Sequence, residues 1–120
     1  MYNYPNLDAF CLSLKGVTKD FKVEWNASRY LLHDKMFAMV GGDKEGRPII
    51  SLKLAPENGL VLRETYADIF PGYYMNKIHW NSVYLEGSVP EEILLKMVQE
   101  SYDLIFGSLT KKQRAMIEGQ

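Results

Sequence analysis

The strongest constraint on this chain lies between Val17 and Leu54, where apolar runs of strand length are parted by short polar turns. Arg29-Tyr-Leu-Leu-His33 gives way to the turn Asp34-Lys35, and Met36-Phe-Ala-Met-Val40 to Gly41-Gly-Asp-Lys-Glu-Gly46. Pro48-Ile-Ile-Ser-Leu-Lys-Leu54 closes the series, with Pro48 at its start, where a missing donor is tolerated. Connections this short join antiparallel neighbours, so the runs predict a meander. Gly41, Gly42 and Gly46 suggest a phosphate loop only by their glycine content. No Gly-Lys-Ser/Thr ending is present and no helical pattern follows, so the segment reads as a hairpin tip.

Helical patterns flank this block. Residues 3–15 place Leu7, Phe10, Cys11 and Leu14 on one face, with Asn3 or Asn6 as cap, Pro5 in the first turn and Gly16 as stop. Cys11 then belongs to the buried stripe, as a small core residue. Ala55-Pro56-Glu57 opens a second, short helix that Gly59 weakens. Asp68 to Gly72 reads as a break, Tyr73 to Met75 as a short strand, and His79 to Glu86 as a better one. Ser88-Val-Pro-Glu91 has the form of a capping box for a helix running to about Phe106. Its predicted buried stripe is Leu94, Met97, Val98, Ser101, Leu104 and Ile105, with Gly107 as stop. Thr110-Lys-Lys-Gln113 repeats the cap for a last helix carrying Ala115, Met116 and Ile117. Strands and helices are segregated along the chain, which predicts an α+β fold: an antiparallel sheet covered by helices. At 120 residues the chain is one domain's worth, residues 1–120, with no internal repeat or linker.

Charge bounds the function. Fourteen Lys and Arg face 15 Asp and Glu, without the positive excess from which non-specific nucleic-acid binders draw their affinity. The single cysteine excludes an internal disulfide and fits a reducing compartment. No basic flank precedes an apolar run at the start, and no segment has the length of a membrane span. The expected location is the cytoplasm.

Catalysis and metal binding find little support. The two histidines, His33 and His79, fall on different strands without Cys/His spacing, and Ser82 has no base on its own face. Glu91 and Glu92 suit a helix N-terminus. The chain is therefore expected to be neither an enzyme nor a metal or cofactor protein. Binding is better supported. Tyr73, Tyr74, His79 and Trp80 can stack on bases or fill a groove, and Lys53 and Lys77 can meet phosphate or carboxylate. The structural alternative is that Trp80 and the tyrosines close the core. Lys53 shares a strand face with Ile49 and Ser51, which is expected to be the less buried one. Lys111, Lys112 and Arg114 read as a solvated helix face.

Met36-Phe-Ala38, Ser51-Leu-Lys53, Pro56-Glu57, Pro71-Gly-Tyr-Tyr-Met-Asn-Lys-Ile-His-Trp80, Ser82-Val-Tyr-Leu-Glu-Gly-Ser-Val-Pro90 and Ser101-Tyr102 resemble the MmcQ/YjbR family of small bacterial proteins. The resemblance spans nearly the whole chain and is most specific in Lys77-x-His79-Trp80 with the strand and Gly-Ser-x-Pro that follow. It implies a two-layer α-β(3)-α-β(2)-α fold of the YjbR/CyaY-like group. It also implies a DNA-binding label, given to such proteins on the strength of fold. The expected partner is DNA, with a protein or small-ligand partner as the alternative, and the chain is expected to act as a monomer or weak dimer. CyaY-like relatives bind iron through an acidic helix; the first helix here offers only Asp8.

Overall fold

The computed structural model describes residues 2–72 and 75–119. Its strands are β1 (Thr18–Lys22), β2 (Ala27–Leu32), β3 (Lys35–Gly42), β4 (Pro48–Lys53), β5 (Ile69–Pro71) and β6 (Trp80–Tyr84). Its helices are α1 (Leu7–Ser13), α2 (Pro56–Thr65), α3 (Glu91–Ser108) and α4 (Lys111–Glu118). The strands pair antiparallel in the order β1-β2-β3-β4-β6-β5. The fold is α+β, as expected, but the sheet is wider than the apolar runs suggested. β1 was not resolved from the pattern because its residues are mostly exposed. β5 falls in the segment read as a break; it is short and ends in proline, which an edge position tolerates.

Turn chemistry sets the register. His33 and Asp34 both take positive φ, 45° and 65°, the geometry that joins two twisted strands through two residues. At the β3–β4 tip the Asp43 carboxylate accepts from the backbone N–H groups of Glu45 and Arg47, a hairpin tip as predicted. β2 and β3 pair Tyr30 with Ala38 but Leu31 with Met36, so Phe37 is an extra, bulged residue. Phe37 and Ala38 both join the core as a result. The Phe37 ring meets Tyr102 edge-on at 5.6 Å, a favoured aromatic geometry.

The bulge also ends the β3–β4 ladder at Ala38 and Leu52. Ser101 of α3 replaces the next rung. Its buried hydroxyl accepts from Lys53 N–H at 2.9 Å and donates to the Phe37 carbonyl. The helix layer thus reaches through the core to hold the end of β4, where Lys53 stands. The core itself lies between the sheet and α3, built from Tyr30, Ile50, Leu52, Val83, Leu94 and Val98 among others.

Several local expectations change. α1 is shorter than residues 3–15, and Asn6 provides no side-chain cap. Instead Asn6 donates from N and Nδ2 to the Glu91 carboxylate. That removes Glu91 from the capping box predicted with Ser88, and Ser88 donates to Asp68. α3 begins after Pro90 without a side-chain cap and runs through Gly107 to Ser108. Leu104 is exposed, and Tyr102 takes its place in the buried stripe. The Thr110–Gln113 capping box forms as predicted, but of the apolar residues on α4 only Ile117 is buried. The strand expected at Tyr73 to Met75 includes two residues, Tyr73 and Tyr74, outside the described ones.

Candidate functional site

The pleat sends Ile50, Leu52, Asn81 and Val83 toward the helices, and Ile49, Ser51, Lys53, Trp80, Ser82 and Tyr84 to the opposite face. That second face was expected to be the less buried one, yet Ile49 and Ser51 are each only 1% exposed. Ser51 and Ser82 face each other and share a buried hydrogen bond of 2.8 Å between their hydroxyls. Met39 flanks Ser51 and Phe70 flanks Ser82 in the same row, and Phe70 packs on Tyr84 with ring centroids 4.7 Å apart. Lys53, one row further, is half-buried.

Lys53 lies directly across from Trp80 in the β4–β6 register. Trp80 is half-buried, so it serves both the fold and the surface. The loop from β5 returns beside it. Gly72 N–H donates to the Trp80 carbonyl at 2.7 Å, and Lys77 Nζ donates to the Gly72 carbonyl at 3.3 Å. A Cβ on residue 72 would fall 2.7 Å from Trp80 Cβ, so only glycine lets the loop lie this close. Lys53, Trp80 and Lys77, from separate stretches of sequence, therefore share one corner of the sheet. His79 contributes here through its backbone. It sits in the turn before β6, and its carbonyl extends the ladder by accepting from Leu54 N–H at 2.8 Å. Tyr73 and Tyr74 lie outside the described residues.

Some cations are paired and others are not. Toward β1 they are neutralised: Lys19 by Asp8, Lys22 by Glu24, Arg29 by Asp20, and at the β3–β4 tip Arg47 by Asp43. Among the described residues Lys53, Arg63 and Lys77 make no ion pair.

A second feature went unread in the sequence. Ala27, Gly41 and Ile49 lie in one row across β2, β3 and β4. Over them runs a groove of about 500 Å³ walled by Trp25, Met36, Met39 and Met75. Gly41 inside a strand was the available signal, since such glycines mark close approach. Among the described residues no cluster of His, Cys, Asp or Glu is placed to hold a metal. No helix there is long and apolar enough to cross a membrane.

Taken together, an antiparallel sheet, helices packed on its core face and an aromatic surface on its other face define a small two-layer α+β domain. The YjbR family model matches residues 12–104. YjbR of Escherichia coli K12, an uncharacterised protein, is 33% identical over 108 residues, covering 90% of this chain and 91% of that protein. YyaQ of Bacillus subtilis, also uncharacterised, is 39% identical over 56 residues, 47% of each chain. The crystal structure of Deinococcus radiodurans DR2400, with domain DUF419, has a TM-score of 0.83 and 29% identity, covering 94% of this chain and 86% of that one. A Pseudomonas syringae protein shares the fold, with a TM-score of 0.68 and 22% identity over 86% of this chain and 93% of its own. The chain belongs to the YjbR family.

Proposed function

We propose that the chain is a non-catalytic binding module whose partner is single-stranded nucleic acid, received at the Lys53–Trp80–Lys77 corner. The observation that carries this reading is the meeting of two cations without ion-pair partners and a half-buried indole at one corner of the sheet. Such a surface offers phosphate contacts beside a stacking platform, the combination that single strands require. The near-neutral charge of the whole chain limits the affinity to what this corner supplies. Labelled single-stranded and duplex DNA should be titrated at low and moderate salt. The expected result is binding of the single strand at low salt, with a slope of about −1.4 in log K against log salt for two phosphate contacts. The double variant K53Q/K77Q should lose it. No binding at low salt, or equal binding by the variant, overturns the proposal.

The groove beneath Trp25 favours a second reading, a protein partner that inserts an apolar side chain. Methionine walls adapt to such groups. Its mark would be retention of a protein partner by the wild type and loss of it in W25A, with no response to DNA.

A further inference from the structure

Arg63 lies on the other side of β6 from Lys53 and Trp80. It is half-buried on α2, and its Nη1 donates to Asn81 Oδ1. Asn81 is completely buried, and its Nδ2 donates to the His79 carbonyl at 3.3 Å. Gly59, one turn earlier on α2, makes the arrangement fit. A Cβ there would fall 3.0 Å from both atoms of the Asn81 amide and 3.1 Å from Arg63 Nη1. Glycine in a helix interior is destabilising relative to alanine. Here it leaves the room in which the guanidinium is seated across the helix. Among the described residues Arg63 makes no ion pair and lies over no aromatic ring. A guanidinium presents a planar fork of N–H donors, and a neutral amide satisfies one of them without offsetting the charge. Partial burial of a charge so left is unfavourable until an anion meets it.

We propose that Arg63 anchors a site for a small oxyanion, a carboxylate or phosphate group that docks on the guanidinium edge left free by Asn81. Carboxylate and phosphate groups each present two oxygens that match that edge with paired charge-assisted hydrogen bonds. Asn81 and Gly59 are positioning residues: one holds the fork, the other leaves it space. The Arg63 Nε–Hε resonance of the full chain tests this in titrations with inorganic phosphate and with sodium acetate, against sodium chloride as control. A saturable shift with phosphate, acetate or both is expected, and the pattern assigns the ligand class. R63K keeps the charge but not the fork, and phosphate affinity should fall at least about tenfold, read on neighbouring backbone amides. G59A keeps Arg63 and displaces its seat, with a similar fall. No saturable shift with either anion overturns the proposal, as does wild-type phosphate affinity in both variants. K53Q/K77Q should keep the phosphate response, so failure at the Lys53–Trp80 corner and failure here are distinguishable.

Discussion

Replacing Ser101 with alanine removes one hydroxyl from the centre of the fold, and the structure bounds the effect. That hydroxyl accepts from Lys53 N–H at 2.9 Å and donates to the Phe37 carbonyl, in place of the rung lost at the bulge. Alanine orphans both backbone groups. An unsatisfied buried polar group costs about 1–3 kcal/mol. Ser101 is completely buried, so water does not enter on the Phe37 side, whereas half-buried Lys53 gives its amide partial access to solvent. The sum is about 2–4 kcal/mol, a large share of the roughly 5–15 kcal/mol that holds a domain folded. Urea denaturation of S101A should show this loss at unchanged slope, with a melting temperature lower by on the order of 10 °C. Hydrogen exchange should show the Lys53 amide losing protection while Ile50 keeps its own. A loss under about 1 kcal/mol with Lys53 N–H still protected would refute the bridging role, since a buried orphan costs at least that much.

Two further outcomes follow from ionisable groups in and beside the core. Asp8 is held below the usual carboxylate range, first by its hydrogen bond from Lys19 at 2.8 Å and then by that from Tyr30 at 2.6 Å. A depressed carboxylate adds stability that is present above its unfolded value, about 4, and lost as pH falls through its folded one. The urea midpoint of D8N should therefore lie below wild type at pH 7 and converge with it at strongly acid pH; a gap constant with pH counts against the pairing. Burial pushes the Cys11 thiol up to about 12. Ellman's reagent at pH 8 should modify it only as the chain unfolds, and rapid reaction in native buffer would contradict its placement.

The sequence by itself determined what local physics controls. Apolar runs parted by turn formers became β2, β3 and β4, because short polar connections leave neighbours no choice but to pair antiparallel. The 3–4 spacing of α3 placed Leu94, Met97, Val98, Ser101 and Ile105 on its buried face, since helical periodicity is intrinsic to the chain. Of the predicted surface, the residue types were legible, but that Lys53 faces Trp80 came only from the register of two strands that are not consecutive in the chain. The cap at Ser88 failed because two distant groups competed for its members: Asp68 took the serine and Asn6 took the glutamate. Exposed β1 and three-residue β5 carry too little apolar pattern to be seen before a neighbouring strand recruits them.

Only the tertiary structure decided the rest. The Phe37 bulge turns two successive residues into the core and creates the gap that Ser101 fills from 64 residues away. Gly59 brings Arg63 over Asn81, and Gly72 brings Lys77 beside Trp80. The methionine groove over Ala27 and Gly41 exists only where three strands lie side by side. Each depends on partners far apart in the chain, so no periodicity records it, and a charge or a cavity gains its meaning only when the fold sets its neighbours.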